Sequence, residues 1–293
     1  MTAQPLAGLL AGIVIILPGP GDPEQPPAPE VGPPMIGSAA AATAEGSQVV
    51  VLPEVGPMLT GQPLASTGRT AGGRLGGART DLSRWKLTLP TGSKGKPTEI
   101  TRPNAAASAD KNWFGPSPDD GIVFRAPVNG ITTKGSKNPR SELREMAGDG
   151  SMPAAWSSTS GTHAMRVVEA FTRLPSGKPH LVGAQIHDAA DDVTVFRLEG
   201  SNLYVTDGDD PHYKLVTSSY TLGTPFEATY VVSGGQVRAY YNGQLVATLA
   251  KNFSGAYFKA GAYTQANCSN SSPCSPTNYG ETVIYDLQVA HTR

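Results

Sequence analysis

Three short segments of this chain alternate polar and apolar residues, and a period of two is the pattern of a β-strand rather than of a helix. The segments are residues 140–144, 185–187 and 257–265. Successive side chains of a strand point to opposite faces of its sheet, so each segment has one polar and one apolar face. They therefore predict strands that bury the apolar face beneath a second layer and expose the polar one.

The polar face of these strands is rich in cations, amides and phenols. It would carry Arg140, Glu142, Arg144, Gln185, His187, Tyr257, Lys259, Tyr263 and Gln265, while Leu143, Ile186, Phe258, Ala260 and Ala262 would face the core. Arginine presents a planar fork of donors that matches a carboxylate, and histidine exchanges protons near neutral pH. Each segment by itself also fits an ordinary surface ladder of charges or a packed aromatic face. If the three lie in one sheet, they predict a site for an anionic, hydroxyl-rich ligand and for proton transfer.

The rest of the chain from residue 79 to residue 293 also predicts strands. Further β-favouring runs cover residues 85–90, 121–127, 163–171, 228–232, 236–241, 244–249 and 282–289. Gly234-Gly235 and Asn242-Gly243 each separate two of these runs, and such pairs are strong hairpin signals. No long window has a helical period. We therefore predict one all-β domain, a single antiparallel β-sandwich.

Residues 1–68 differ in composition from the remainder. They contain no Lys or Arg, five acidic residues and 12 of the 26 prolines, which is typical of a disordered linker. The apolar run within residues 5–17 is too short to span a bilayer and resembles the core of a signal peptide, although no basic segment precedes it. From residue 69 onward 23 basic residues face 19 acidic ones, a net charge of +4. That balance suits an acidic substrate and is too small for a nucleic-acid-binding surface.

Cys268 and Cys274 are the two cysteines of the chain and lie six residues apart in a loop rich in Ser, Asn and Pro. No histidine or further cysteine lies nearby at a metal-ligand spacing, so a local disulfide in an exported protein is the favoured interpretation. Two unpaired thiols are the alternative. Together with the apolar run, the cysteines predict a secreted protein with an atypical leader.

The chain from about residue 81 to its end resembles the family 7 polysaccharide lyases, the alginate lyases, through three blocks. The blocks are Arg140-Ser141-Glu142-Leu143-Arg144, Gln185-Ile186-His187 and Tyr257-Phe258-Lys259-Ala260-Gly261-Ala262-Tyr263-Thr264-Gln265. The opening Asp81-Leu82-Ser83-Arg84-Trp85-Lys86-Leu87-Thr88-Leu89-Pro90 is also similar. The resemblance implies a jelly-roll sandwich with a lectin-like, concave sheet whose groove binds alginate or a related polyuronate. It does not extend to residues 1–68.

The resemblance also implies a mechanism, β-elimination, which breaks the 1,4-linkage without adding water and needs no cofactor. By analogy Arg140 and Gln185 would neutralise the uronate carboxylate, His187 would be the base and Tyr263 the acid. The remaining polar residues, Glu142, Arg144, Tyr257, Lys259 and Gln265, would bind neighbouring sugars. An Ile between the Gln and the His accompanies activity on guluronate in this family, so Ile186 predicts a guluronate-containing substrate.

Two other functions are compatible with a β-sandwich. Hydrolysis by paired carboxylates is disfavoured, because no strand displays Glu and Asp on one face at a suitable spacing. A lectin-like or laminin-G-like module that binds acidic glycans without cutting them remains the alternative, since fold alone does not decide function. Residues 207–210, Asp-Gly-Asp-Asp, predict a turn, with a calcium site as the less favoured interpretation. We expect a monomer that binds neither a membrane nor nucleic acid.

Overall fold

The computed structural model describes residues 13–16, 49–52, 80–108 and 110–292. Most of residues 1–68, for which we predict a leader and a disordered linker, lies outside the described residues. Within that region, β1 (Ile13–Ile16) and β2 (Val49–Leu52) pair antiparallel as a two-stranded sheet. The remaining residues of the predicted leader and linker lie outside the described part of the chain.

The described part of the chain from residue 80 onward forms two large sheets of antiparallel strands, and the first contains all three alternating segments. In spatial order this first sheet consists of β13 (Asp210–Thr217), β12 (Asn202–Asp207), β11 (Asp192–Glu199), β10 (His180–His187), β17 (Tyr257–Thr264), β7 (Arg140–Ala147), β3 (Trp85–Ser93) and β4 (Lys96–Thr101). The short strand β8 (Met152–Pro153) pairs with β7. The first sheet therefore has β10, β17 and β7 side by side at its centre.

The second sheet covers the apolar side of the first. In spatial order it consists of β16 (Gln244–Ala250), β15 (Gln236–Tyr241), β14 (Phe226–Ser233), β9 (Thr162–Arg173), β18 (Tyr279–Thr292), β6 (Ile122–Pro127) and β5 (Phe114–Pro116). The longest strands, β9 and β18, pair with each other at its centre. The described residues contain strands and connecting turns but no helix. The predicted antiparallel β-sandwich is confirmed.

The core lies between the two sheets, because each sheet has one apolar face. The first sheet contributes the five residues that alternation assigned to the interior, Leu143, Ile186, Phe258, Ala260 and Ala262, all with no solvent exposure. They belong to one buried cluster with Phe124, Met165, Phe171 and Tyr230 of the second sheet. Burying these apolar side chains provides the main driving force for closing the sandwich. It also holds the polar groups of the first sheet outward.

Both predicted hairpins are present. The links between β14, β15 and β16 turn at Gly234-Gly235 and Asn242-Gly243, whose φ angles are all positive, between 50° and 77°. Two successive positive φ angles define the type I′ turn, which matches the right-handed twist of paired strands. Residues 207–210 form the predicted turn, since β12 ends at Asp207 and β13 begins at Asp210. No group of three or more metal-ligating side chains occurs among the described residues.

Cys268 and Cys274 are joined by a disulfide bond, with their Cα atoms 4.8 Å apart. The bond closes a short loop between β17 and β18. Nowhere in the part of the chain that the structure describes is there a helix long and apolar enough to cross a membrane.

Candidate active site

The register of three adjacent strands brings the predicted site residues together. Lys259 of β17 pairs with Gln185 of β10 on one side and with Arg144 of β7 on the other. Two residues along the strand, Tyr257 pairs with His187. Because alternation sends all of these side chains to the same face, the sheet carries the cations, the imidazole and the phenols as one surface.

Glu142 is buried at the centre of this surface and contacts three of the polar side chains around it. Its side chain is 1% exposed, and its two carboxylate oxygens accept hydrogen bonds from three donors. Arg140 Nη1 donates to Oε2 at 3.0 Å, Lys259 Nζ forms an ion pair with the same oxygen, and Gln185 Nε2 donates to Oε1. Burial raises the pKa of Glu142, but the charges of Lys259 and Arg140 overcome this effect and hold the pKa below its ordinary value. The carboxylate is therefore ionised and fixes the directions of three donors.

Lys259 is buried with Glu142, and its side chain is 7% exposed. Burial lowers the pKa of Lys259 to about 8, against the opposing attraction of Glu142. The role in binding neighbouring sugars that the resemblance implies for Glu142 and Lys259 stays a prediction. Both groups lie under the surface and act on the outer residues.

His187 is presented as a neutral imidazole. Its Nδ1 lies 2.8 Å from the backbone carbonyl of Asp188, which can only accept, so Nδ1 carries the proton and Nε2 is left free to take one. Burial lowers the pKa of His187, and the charges of Lys259 and Arg140 lower it further. The ring stacks on Tyr257 with centroids 5.2 Å apart. The hydrogen bond and the stacking orient the imidazole, while burial and the neighbouring cations, which lower its pKa, favour the neutral form.

The Tyr263 ring lies beneath the Arg140 guanidinium, whose central carbon is 3.8 Å from the ring centroid. The Tyr263 hydroxyl shares a hydrogen bond of 2.9 Å with the hydroxyl of Ser136. Sequence reasoning missed Ser136, because it lies in the loop before β7 and belongs to no alternating pattern. The phenol is therefore held at both its ring and its hydroxyl.

The Arg144 side chain packs against an aromatic ring of the neighbouring strand. Its guanidinium lies 3.8 Å from the centroid of the Tyr257 ring, and no ion pair joins it to Glu142 within the described residues. Among the described residues, Glu142 therefore forms an ion pair with Arg140 but not with Arg144. Arg144 Nη1 also donates a hydrogen bond of 3.4 Å to the backbone carbonyl of Glu145.

Gln265 lines a cavity of about 200 Å³ together with Gln185 and Tyr263. Its Oε1 accepts a hydrogen bond from Arg197 at 3.1 Å, and its Nε2 is buried without a protein partner in the described structure. Arg197 was not predicted. It shares a face with Glu199 on β11, and that alternation could have indicated a further polar strand.

A second cavity, of about 470 Å³, reaches the residue that shares a hydrogen bond with the Tyr263 hydroxyl. It is lined by residues 128–130, 132, 136–137 and 267–269, including Ser136 and the disulfide-bonded Cys268. Tyr263 lines the first cavity, and its hydrogen-bond partner Ser136 lines the second. The hydrogen bond between Tyr263 and Ser136 therefore joins a residue of one cavity to a residue of the other.

A β-sandwich that carries cations, phenols and an imidazole on one face fits the class of enzymes that act on acidic polysaccharides, and comparison with known proteins specifies the family. A family model described as alginate lyase matches residues 80–291. An alginate lyase from Corynebacterium sp. is 60% identical, with a TM-score of 0.71 over 73% of this chain and 96% of that one. The alginate lyase AlgAT5 from polysaccharide lyase family 7 is 46% identical, with a TM-score of 0.68 over 73% and 97%.

Two more distant relatives agree. The family 7 alginate lyase A1-II′, with a His→Asn and a Tyr→Phe substitution and the substrate GGMG bound, is 27% identical, with a TM-score of 0.61 over 73% of this chain and 95% of that one. A curated alginate lyase of Klebsiella pneumoniae is 39% identical over 74 residues, a match spanning 24% of each protein. This chain therefore belongs to the alginate lyases of polysaccharide lyase family 7.

Proposed function

We propose that this protein cleaves guluronate-containing alginate by β-elimination and leaves unsaturated oligosaccharides. The observation that carries the proposal is the joint placement of a neutral imidazole, a phenol and two carboxylate-binding donors on one sheet face. A ligand-binding module has no need of an acid and a base in one site, and the family comparisons do not favour that alternative.

The hard step of the reaction is removal of the C5 proton, because the adjacent carboxylate opposes the negative charge that develops. Arg140 and Gln185 are suited to neutralise that carboxylate. Glu142 accepts a hydrogen bond from Nη1 of Arg140 and one from Nε2 of Gln185, which fixes both side chains. The Arg140 Nη2 group has no hydrogen-bond partner among the described residues. A fixed donor aimed at developing charge contributes typically about 3–4 kcal/mol to the transition state.

His187 and Tyr263 are assigned to the two proton transfers. The free Nε2 of His187 takes the C5 proton, and the hydroxyl of Tyr263 delivers a proton to the departing O4. The epimers of alginate expose the C5 hydrogen on opposite sides of the ring, so guluronate suits the imidazole as base, whereas mannuronate would use Tyr263 for both steps. The substrate-bound relative carries substitutions of a His and a Tyr, which supports a pair of these residue types at the reaction centre.

The reaction can be followed directly, because elimination creates a C4–C5 double bond conjugated to the carboxylate. We expect ultraviolet absorbance to rise during incubation of this protein with alginate, in contrast to hydrolysis, which creates no such chromophore. Retained binding of alginate with no rise in absorbance would overturn the enzyme assignment in favour of a glycan-binding module.

Substrate preference gives a separate prediction. Ile186 lies in the core with no exposure, so its influence on the epimer preference must pass through the adjacent Gln185 and His187. We expect a higher kcat/KM on purified guluronate blocks than on mannuronate blocks, measured by the same absorbance change. A clear preference for mannuronate blocks would contradict the assignment of His187 as the base.

We propose further that the protein acts outside the cell. The Cys268–Cys274 disulfide supports this, since such bonds persist in oxidising compartments.

A further inference from the structure

Strand β10 is irregular just before the residues that reach the site. Val182 pairs with Arg197 of β11, and Gln185 pairs with Val195. Two residues of β10 therefore lie opposite one residue of β11, Phe196. Two residues against one is the arrangement of a β-bulge, which redirects the side chains that follow it.

The bulge determines which side chains of β10 reach the polar face. Leu181, Ala184 and Ile186 all lie in the core with no exposure. A strict alternation from Leu181 would send Gln185 and His187 inward, because they stand an even number of residues away. The extra residue of the bulge reverses this assignment. Without it, the two groups would be on the wrong side of the sheet.

A side chain from the opposite sheet fills the bulge. Glu169 of β9 is fully buried, and its Oε1 accepts a hydrogen bond of 3.1 Å from the backbone N–H of Ala184. Tyr230 of β14 makes a longer contact of 3.5 Å from its hydroxyl to the carbonyl of Ala184. A Cβ atom added to Gly183 would lie 2.4 Å from Glu169 Oε1, so the bulge has room for the carboxyl only because residue 183 is glycine.

Glu169 has opposing effects on the stability of the fold. Burial raises the pKa of Glu169 to about 8, so the group is a neutral carboxyl at pH 7. Its second oxygen, Oε2, has no hydrogen-bond partner among the described residues, and an unsatisfied buried polar atom destabilises a fold. An apolar side chain would avoid that cost but would leave the Ala184 N–H without an acceptor.

We propose that Glu169 is a positioning residue for the elimination, whose carboxyl fills the β10 bulge and so fixes the directions of Gln185 and His187. Its atoms do not contact the substrate, and it acts through the strand that carries the base. This inference rests on the proposed function. A shift of about 1 Å in a reacting group can lower a rate about 100-fold, so a small relaxation of the bulge is sufficient to be measured.

The test compares Glu169→Gln with Glu169→Ala and uses Val167→Ala as a matched control on the same strand. Val167 is also fully buried and faces the core, but it is two residues from Glu169 and contributes no acceptor to β10. We expect Glu169→Ala to lower kcat on alginate about 10- to 100-fold with a smaller change in KM. Glu169→Gln keeps an oxygen acceptor and should retain kcat within about threefold of the parent, since a neutral amide replaces a neutral carboxyl.

The control separates positioning from loss of stability. Val167→Ala should lower the melting temperature while its kcat stays near that of the parent, because it leaves a cavity but removes no hydrogen bond to the bulge. Gly183→Ala should lower kcat, and the double variant Gly183→Ala/Glu169→Ala should be no slower than Glu169→Ala alone. Equal kcat losses in Glu169→Ala and Val167→Ala, or no rescue in Glu169→Gln, would overturn the proposal.

A readout without substrate keeps this inference distinct from the proposed function. The NMR signals of the His187 ring should shift in Glu169→Ala and stay in place in Val167→Ala. If the parent does not cleave alginate but these shifts occur, the enzymatic proposal fails and the structural role of Glu169 stands. If the parent is active and the ring signals do not move in Glu169→Ala, the positioning role fails by itself.

Discussion

Tyr263→Phe should lower kcat on alginate by about 100- to 10,000-fold, the range expected when a positioned general acid is removed. The substitution deletes one oxygen, whose contact in the structure is the 2.9 Å hydrogen bond to Ser136. The ring stays in place because the Arg140 guanidinium covers it at 3.8 Å. The loss should therefore appear in kcat while the affinity for alginate changes little. Absorbance assays and calorimetric binding measure the two quantities.

Two matched controls accompany this variant. Ser136→Ala removes the partner of the hydroxyl but keeps the hydroxyl itself, so its effect should be much smaller. Tyr213→Phe removes a phenol oxygen from β13 of the same sheet, where the side chain is 43% exposed, and should leave kcat unchanged. A Tyr263→Phe variant that keeps more than about a tenth of the parental rate would exclude the phenol as the general acid.

The sequence predicted the central strands well because their information is local. Alternation within residues 257–265 assigns Phe258, Ala260 and Ala262 to the core and Tyr257, Lys259 and Tyr263 to the other face, and the buried cluster agrees. The hairpins at Gly234-Gly235 and Asn242-Gly243 are equally local, since the turn requires positive φ at both residues. Alternation left open whether the three blocks share one sheet, and the pairing of β10, β17 and β7 shows that they do.

The parts that were missed depend on contacts between distant residues. Alternation predicts the face of the sheet on which Glu142 lies but not that its side chain is buried. The burial follows from the contacts of Glu142 with Lys259 of β17 and Gln185 of β10. Counting residues along β10 does not reveal the bulge, because Glu169, the side chain that accepts the hydrogen bond of the bulge, comes from the opposite sheet. Ser136 reaches the site from a loop without any periodic signal. The outer strand β13 was also missed, because six of its eight residues are exposed and no apolar face marks it.

The second large effect is expected from Glu142→Gln, which should destabilise the fold by about 3–5 kcal/mol at pH 7. The reason is the burial of the positive charges that Glu142 neutralises, since the Lys259 side chain is 7% exposed and that of Arg140 is 12% exposed. An amide offers one acceptor in place of two and no counter-charge. Lys259→Met added to Glu142→Gln removes one uncompensated charge and should recover part of the loss. Urea unfolding of the single and double variants measures both.

The exposed pair between Lys86 and Glu99 in the same sheet is the matched control. Its atoms are 2.9 Å apart, but the side chains are 23% and 48% exposed, so Glu99→Gln should cost less than about 1 kcal/mol.

The stabilisation that Glu142 provides depends on pH in a definite direction. Because the folded pKa of Glu142 is below its ordinary value of 4.5, the stability that it contributes is present above that value and is lost as the pH falls through the folded pKa. The difference in the free energy of unfolding between the parent and Glu142→Gln should therefore become smaller in acid. A cost no larger than that of Glu99→Gln at pH 7 would mean that the buried cations do not depend on Glu142, and Arg140 and Gln185 would then need another source of their orientation.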